Sequence, residues 1–200
     1  MDYTMKVIAR IHSDFPEKFG IPRQSGLVPA LRAKIVFEPE YRNPDALRGI
    51  EGFSHLWLIW QFSAAVRDTW SPTVRPPRLG GNERVGVFAT RSPFRPNAIG
   101  LSCVKLEGVR HEDGLGDVLI VSGADLMDGT PIYDIKPYLP YADAHPEALG
   151  GFAPSPKETI EVECLPELLQ KLPEGQREAL LGVLAQDPRP QYQNDPERVY

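Results

Sequence analysis

The sequence predicts a mainly β protein, with a β body followed by a small α/β segment. The chain has 200 residues, among them 21 prolines and 17 glycines, so turns and loops are frequent. That composition favours many short strands over long helices. Apolar stretches of strand length alternate with polar, proline-rich stretches up to about residue 150, where helical periodicity begins. We therefore expect a β body over residues 1–148 and a small C-terminal α/β domain over residues 149–200.

The first strands are predicted from apolar patterning. Residues 5–11 (MKVIARI) form a first strand, and residues 31–39 (LRAKIVFEP) form a second with alternating apolar side chains. Residues 54–63 (SHLWLIWQFS) are aromatic and branched, which is typical of a buried strand. Prolines and glycines predict a long loop over residues 12–29, and residues 43–53 predict a short capped helix or turn.

The second half of the predicted body contains one basic loop and one hairpin. Residues 67–84 are rich in arginine, proline and glycine and predict a loop, and residues 85–90 (VGVFAT) predict a short strand. Residues 101–110 and 117–126 are apolar and flank the turn sequence EDGLGD, so they predict a β-hairpin.

The C-terminal segment mixes one strand pattern with one helical pattern. Residues 159–165 (TIEVECL) predict a strand. Residues 166–187 show helical periodicity that Pro173 interrupts. These two patterns are the basis for the α/β class of this segment.

Charge is distributed unevenly along the chain. The formal net charge is −5, which argues weakly against nucleic acid as a partner. Residues 67–95, however, contain six arginines and two acidic residues, a local net charge of +4. Residues 151–200 carry a net charge of −4. A local cluster of guanidinium groups can bind phosphates even on an acidic protein.

Several classes of site are disfavoured by missing motifs. The two cysteines, Cys103 and Cys164, are far apart and form no CxxC pair, so we expect reduced thiols and no metal. No Walker A motif, no GxGxxG after a strand, no HExxH and no GxSxG is present. The N-terminus has no signal-peptide pattern and no apolar run reaches membrane-spanning length, so a soluble, cytoplasmic protein is expected.

The stretch RSPFRPNAIGLS (residues 91–102) is the first candidate for binding chemistry. Pro93 and Pro96 restrict the backbone and lower the entropy cost of holding a loop in one shape. Arg91 and Arg95 present planar guanidinium groups that suit a carboxylate, a phosphate or a stacked base. The loop therefore suits an anionic or zwitterionic ligand. The alternative is a rigid structural turn with solvated arginines.

A second polar stretch is DLMDGTPIYDIKPYLPYAD (residues 125–143). Its aspartates could accept bonds from hydroxyl or cationic groups, or Asp128 could simply cap a turn. His55 begins a very apolar strand, where a lone histidine is more often a core residue than a catalyst. The same holds for Trp57, Trp60 and Phe62, which we expect in the core rather than in a base-stacking surface.

Four strings together resemble one protein family. GIPRQSGLVP, EGFSHLWLIWQF, GVFATRSPFRPNAIGLS and DLMDGTPIYDIKPYLPYAD closely resemble the TrmO/TsaA-like family of S-adenosylmethionine-dependent tRNA methyltransferases. The resemblance covers residues 1 to about 145, and DPRPQY (residues 187–192) is similar to a C-terminal signature of the family.

The resemblance implies both an architecture and an activity. It implies a single-sheeted β-barrel-like body, a small C-terminal domain and a homodimer. It implies S-adenosyl-L-methionine as cofactor and methylation of N6 of threonylcarbamoyl-adenosine at position 37, in the anticodon loop of tRNA. The cofactor residues that it implies are Pro22, Arg23, Gln24, His55, Leu56, Arg91, Leu101, Asp125, Leu126, Met127 and Asp128. The basic stretch adds as RNA-binding candidates Arg67, Arg75, Arg78, Arg84 and Arg95.

Two other functional classes stay open from the sequence. The chain could be a non-catalytic module that binds S-adenosylmethionine or another nucleotide and signals through a partner. It could also be an enzyme that acts on a small anionic substrate without RNA. No residue pattern identifies a general base for any of these activities.

Overall fold

The computed structural model describes residues 4–189, and β-strands dominate it. The strands are β1 (Ala9–His12), β2 (Arg32–Phe37), β3 (His55–Gln61), β4 (Thr73–Val74), β5 (Val85–Gly86), β6 (Ile99–Glu112), β7 (Gly116–Ser122) and β8 (Pro131–Pro137). The helices are α1 (Pro140–Asp143), α2 (Pro166–Leu169) and α3 (Glu174–Ala185), besides several single turns of 3₁₀ helix. The prediction of a mainly β body is confirmed.

Six of the strands form one antiparallel sheet that closes on itself. Their order is β1-β2-β7-β6-β3-β8, and β1 also pairs with β8, where Ala9 lies opposite Ile132. Closure satisfies the backbone groups that an open sheet would leave at its edges. The predicted hairpin is β6 and β7, which pair from Lys105 opposite Ser122 to Glu112 opposite Gly116.

Alternate side chains of each strand point inward and fill the interior of this closed sheet. In β3, Leu56, Leu58 and Trp60 are buried, while the residues between them are partly exposed. Such burial contributes about 1.5–3 kcal/mol for each fully buried leucine. The core also takes Ile11 from β1 and Ile35 from β2. Predicted strands 31–39 and 54–63 are therefore confirmed as β2 and β3, with the apolar faces directed inward.

The stretch between β3 and β6 has a different construction. Residues 62–97, which we call the rim segment, contain the small two-stranded sheet of β4 and β5 and three single turns of 3₁₀ helix. Within the rim segment Val87 is the only buried residue. The strand predicted over residues 85–90 is thus wrong beyond Gly86, because the chain turns there and buries Val87 through a 3₁₀ turn.

The C-terminal segment differs from its prediction. Residues 159–165 form no strand, so α2 and α3 are the only regular elements in the described part of this segment, and a separate α/β domain is not shown. Instead α3 packs on the body, where Ala179 forms a small buried cluster with Val28 and Leu31. The predicted interruption at Pro173 is confirmed, since α3 begins one residue later. The domain boundary at residue 148 stays a prediction. Residues 190–192 of the DPRPQY string lie outside the described residues.

Candidate functional site

A large cavity lies where the rim segment meets the closed sheet. Its volume is about 1830 Å³, against the ~300–1,000 Å³ that is common for a pocket holding one small molecule. Its walls come from residues 21–24, from much of the rim segment, from the start of β6, and from Asp125 and Met127. The polar loops that the sequence singled out therefore converge on one space, which can hold a cofactor together with part of a second molecule.

Two of these loops contact each other directly. The Arg91 guanidinium donates a hydrogen bond to the side-chain oxygen of Gln24. The next residue, Ser25, accepts a hydrogen bond from the backbone N–H of Cys103 at 3.1 Å, which ties the loop to β6. The loop over residues 21–26 is thus fixed on both sides, and Gln24 and Arg91 form one polar surface in the cavity.

Two glycines hold the turn before Asp125 close to the loop over residues 21–26. The Gly26 N–H donates to the carbonyl of Gly123 at 2.8 Å, and φ is +80° at Gly26 and +73° at Gly123. A Cβ on Gly123 would lie 3.3 Å from the backbone of Gly26. Residues with a side chain rarely adopt this φ, so both turns require glycine. Their contact holds Asp125 beside the loop that carries Gln24.

The proline-stiffened loop is ordered by its own polar groups. Arg95 donates to the carbonyl oxygens of Thr90 at 3.0 Å and Ser92 at 3.4 Å. The Phe94 N–H donates to the Ser92 hydroxyl at 3.2 Å. Arg95 therefore fixes the loop, whereas the exposed Arg91 extends to the loop across the cavity. Arg95 thus has a structural role in the loop, and the interpretation of Arg91 as a ligand-binding residue stays a prediction.

A chain of hydrogen bonds connects the core to the cavity. The Trp60 indole N–H donates to the Ser102 hydroxyl at 3.0 Å, and Ser102 donates to Asp125 Oδ1 at 2.6 Å. Ser102 and Trp60 are both buried. The β3–β8 register shifts between Ile59 and Trp60, a bulge of the kind that redirects side chains near functional sites. The carboxylate of Asp125 thus has a fixed orientation in the cavity wall.

The ring of Trp60 also determines the residue opposite it. Trp60 pairs across the sheet with Gly100. A Cβ on Gly100 would lie 2.6 Å from Trp60 Cδ2 and closer still to two other ring atoms. The indole therefore occupies the space of a side chain at position 100. Glycine in RSPFRPNAIGLS is needed for this close packing.

Burial raises the pKa of Asp125 above its ordinary value of 3.8. The hydrogen bond from Ser102 and the nearby Arg91 charge act in the opposite direction but only in part. Among the described residues that line the cavity, Asp125 is the one that carries a carboxyl group. A carboxyl with a raised pKa takes up a proton more readily than an ordinary aspartate.

Most of the residues predicted from the sequence lie around this cavity. Seven of the predicted cofactor residues line it, namely Pro22, Arg23, Gln24, Arg91, Leu101, Asp125 and Met127. Four of the predicted RNA-binding arginines line it as well, namely Arg67, Arg75, Arg84 and Arg95. Arg78 does not, because its guanidinium donates to the carbonyl of Ser155.

His55 and Leu56 lie at the opposite end of β3 from the cavity. At ~3.3 Å per residue, His55 is roughly 17 Å along the strand from Trp60. Its ring contacts Tyr138, with centroids 6.1 Å apart, and Leu56 is fully buried in the core. Neither side chain lines the cavity.

Leu126 and Asp128 face away from the cavity. Leu126 is buried, and its carbonyl accepts a hydrogen bond from the Ser13 hydroxyl at 2.9 Å. Asp128 accepts from the Ser13 N–H at 3.1 Å, and His12 Nδ1 lies 3.2 Å away. The carboxylate thus secures the turn to β1, which is the structural interpretation considered for Asp128.

Several residues of the site were missed from the sequence. Ser102 belongs to the quoted motif, but its role depends on the position of Trp60 across the sheet. Phe88 and Phe94 line the cavity with exposed rings, and Trp70 lies beside Phe88. The alternation of aromatic and arginine residues within the basic stretch was the available signal for these rings.

Residues 4–189 contain neither a candidate metal cluster nor a membrane-spanning helix. No group of three or more histidine, cysteine, aspartate or glutamate side chains there could hold a metal ion. None of the helices in the same range is long and apolar enough to cross a membrane.

Comparison with known proteins points to one family. The family model described as tRNA-methyltransferase O N-terminal domain matches residues 10–144. A protein of Escherichia coli (strain K12) named tRNA (adenine(37)-N6)-methyltransferase is 45% identical over 203 residues, covering 98% of this chain and 86% of that protein. A Pseudomonas aeruginosa protein named putative S-adenosylmethionine-dependent methyltransferase RcsF is 47% identical over 208 residues, covering 100% and 88%.

Solved structures agree with the sequence comparison. The crystal structure of TrmO from Pseudomonas aeruginosa matches with a TM-score of 0.80 and 40% sequence identity. The match covers 100% of this chain and 87% of that one. The similarity therefore includes the rim segment and the C-terminal helices as well as the closed sheet.

Proposed function

The chain belongs to the tRNA-methyltransferase O family, and we propose that it transfers a methyl group from S-adenosylmethionine to N6 of adenine 37 in tRNA. The family model matches more than half of the chain, and relatives named for this activity cover nearly all of it. We further propose that the substrate adenine carries an N6-threonylcarbamoyl group. The single observation that supports this function best is the convergence of Gln24, Arg91 and Asp125 on one large cavity.

The residues of the cavity fit the chemical groups of the cofactor. Arg23 and Arg91 suit its carboxylate, and the Asp125 carboxylate suits its ammonium group or ribose hydroxyls. Met127 and the half-exposed Leu101 offer apolar contact for an adenine ring. Pro22 is buried beneath this surface and stiffens the loop that carries Arg23 and Gln24.

When bound, the cofactor supplies an electrophilic methyl group on a positively charged sulfur. The protein then has to align that methyl with N6 of the adenine, which is the main requirement of such a transfer. The N6 nitrogen loses a proton in the reaction. Asp125 is the carboxyl available in the cavity to accept it, and Ser102 holds that carboxylate in position.

The decisive experiment measures methyl transfer to tRNA with and without the threonylcarbamoyl group. Labelled S-adenosylmethionine is incubated with each tRNA and the purified protein, and the label on adenine 37 is counted. We expect label only on the tRNA that carries the modification. Equal labelling of both would refute the proposed substrate, and no labelling of either would refute the proposed activity.

Cofactor binding at the cavity is tested with Arg91→Ala. Loss of the guanidinium removes one partner of the cofactor carboxylate and the bond to Gln24, so affinity for S-adenosylmethionine should fall about tenfold or more. The midpoint of thermal unfolding should change little because Arg91 is exposed. Arg48→Ala, another exposed arginine distant in sequence, is the control. Wild-type affinity in Arg91→Ala would contradict the assignment.

His55, Leu56, Leu126 and Asp128 remain part of the proposed cofactor set, and we propose that the protein acts as a homodimer. Because His55 is too far from the cavity of its own subunit, it serves the cavity of the second subunit in this proposal. Mixing inactive His55→Ala and Arg91→Ala subunits should then restore part of the activity. A monomeric mass in light scattering, or no recovery on mixing, would contradict it.

A non-catalytic module is the alternative function. It predicts tight binding of S-adenosylmethionine without methyl transfer to any tRNA. The names of the relatives favour the enzyme over this module. We also propose that the protein acts in the cytoplasm, and fractionation of cells tests this location.

A further inference from the structure

Three large aromatic rings of the rim segment are exposed next to the cavity. Trp70 is 51% exposed, Phe88 71% and Phe94 38%. The rings of Trp70 and Phe88 lie 6.1 Å apart with 30° between their planes. A protein of this size could bury such rings in its core, so two exposed rings in contact beside the cavity indicate a binding surface.

Arginines accompany these rings. The Arg67 guanidinium carbon lies 3.8 Å from the centre of the Phe94 ring, a stacked cation–π contact. The Arg95 guanidinium carbon lies 6.0 Å from the centre of the Phe88 ring. A hydrogen bond from the guanidinium to the Thr90 carbonyl holds it there. Arg75 and Arg84 line the same cavity. Exposed ring faces with cationic groups beside them are the chemistry that proteins use for unpaired nucleobases and their phosphates.

The charge of the segment selects the kind of occupant. Residues 67–95 carry a net charge of +4 in a protein whose net charge is −5. Carboxylates of a second copy of this acidic chain would pair with the arginines but would not stack on the exposed ring faces. A single-stranded polyanion meets both requirements, because its bases stack on the rings and its phosphates pair with the guanidinium groups.

We propose that Trp70 and Phe88, with the Arg67–Phe94 pair beside them, form a stacking surface for the unpaired RNA bases that flank the reactive adenine. The proposal rests on the proposed function, since it places the neighbours of the target base in and beside the cavity. The cavity is larger than a site for one small molecule, so it has room for the target base beside the cofactor and for a neighbouring base along the wall that Phe88 and Phe94 line. Stacking on the rings positions the target adenine through its neighbours, without reading their sequence.

The test compares binding of two RNA probes to Trp70→Ala and Phe88→Ala. One probe is a stem-loop with an anticodon-type loop of unpaired bases, and the other is a fully paired duplex of the same length. Each substitution should weaken stem-loop binding by roughly five- to a hundredfold, with the duplex unaffected. The salt dependence of stem-loop binding should keep its slope, because every phosphate keeps its cationic partner. Trp70→Phe should retain most of the affinity.

A matched control and three outcomes make the test decisive. Tyr141→Ala removes another exposed aromatic ring, 87% exposed, that does not line the cavity, and should bind like the wild type. Unchanged stem-loop affinity in both variants would overturn the proposal. So would a change in the mass of the assembly, since that would make the surface a subunit contact. Loss of duplex binding equal to loss of stem-loop binding would also overturn it.

The binding assay is independent of catalysis. If the wild type binds the stem-loop through these rings but transfers no methyl group, the proposed function fails and the stacking surface stands. If it methylates tRNA while both variants bind normally, the stacking surface fails and the proposed function stands.

Discussion

The closed sheet and the rim segment are adjacent in the chain but differ in how much of each is buried and in what holds each together. In the sheet, Leu56 and Leu58 are fully buried, and backbone bonds between strands satisfy the polar groups. In the rim segment one residue is buried, and side chains bond to nearby carbonyls to hold the loops. The sheet therefore supplies most of the buried apolar core, whereas the rim segment presents exposed polar and aromatic groups. Substitutions in the two regions should accordingly separate stability from binding.

The largest expected effect belongs to the sheet. Leu58→Ala should lower the free energy of unfolding by about 2–5 kcal/mol, because it removes buried methyl groups and leaves a cavity. Leu101→Ala is the matched control. It makes the same change on the neighbouring strand at a half-exposed residue facing the cavity, so it should cost less than about 1 kcal/mol. Denaturant unfolding followed by circular dichroism measures both. Equal losses would mean that the cavity wall contributes to stability as much as the core does.

Gly100→Ala should have the next largest effect, at the junction of the two regions. The new methyl group would overlap the indole of Trp60, so the free energy of unfolding should fall by about 1–3 kcal/mol. Gly86→Ala in the rim segment is the control, since its φ is −59° and nothing lies within 4 Å of the added methyl. That control should be neutral or slightly stabilising. An unchanged free energy of unfolding in Gly100→Ala would show that the Trp60 ring moves freely. The hydrogen bonds from Trp60 through Ser102 to Asp125 would then be mobile as well.

Asp125→Asn should reduce methyl transfer while leaving the protein at least as stable at neutral pH. Burial raises the pKa of Asp125, so the folded protein keeps this proton at a pH where the unfolded chain has lost it. Wild-type stability relative to Asp125→Asn should therefore fall as pH rises above the ordinary value of 3.8. Thermal unfolding of both proteins across pH measures this difference. The control is Asp113→Asn, which removes a surface carboxylate from an exposed turn outside the cavity. A difference that grows toward low pH would contradict the argument.

The smallest effect on stability belongs to the arginines of the rim segment. Replacing Arg75 and Arg84 with alanine should leave unfolding nearly unchanged, because both are exposed. Binding of tRNA should weaken, and its salt dependence should flatten by roughly one unit of slope or less for each phosphate left without a cationic partner. Arg78→Ala is the control within the same stretch, since Arg78 bonds to Ser155 outside the cavity. An unchanged slope in the double variant would mean that these arginines do not touch RNA.

The same contrast explains what the sequence could predict. The strands β2, β3, β6 and β7 followed from alternating or continuous apolar residues, since burial on one face imposes that period. The strand predicted over residues 159–165 was wrong, although its pattern is similar. Its residues lie beside α3, where Ile160 donates to the carbonyl of Ala185, so no strand partner is available. A short apolar pattern needs a partner strand, which local sequence does not specify.

In the site, composition predicted the loops but not the links between them. Proline, glycine and arginine identified the loops around Arg91 and Gln24, and the structure brings these two residues into contact. The chain from Trp60 through Ser102 to Asp125 joins three strands or turns that are far apart in sequence. Such a chain depends on strand register, because Trp60 must lie opposite Gly100 for its indole to reach Ser102. Register is a property of the folded sheet.

Helix α3 packs against the chain next to the loop around Gln24 and supports that loop. Gly182 of α3 lies so close to Val28 that an added Cβ would be 2.7 Å from its methyl carbon, and Gln176 donates to Asp14 at 3.0 Å. Val28 lies two residues beyond Gly26, whose turn holds the cavity wall in place. Residues 144–165, which precede the helices, contain no helix or strand. A protease that cuts there would leave α3 bound by contact alone, and its departure would remove one support of that loop. The core of the closed sheet lies in a separate cluster, so it would keep its packing after this loss.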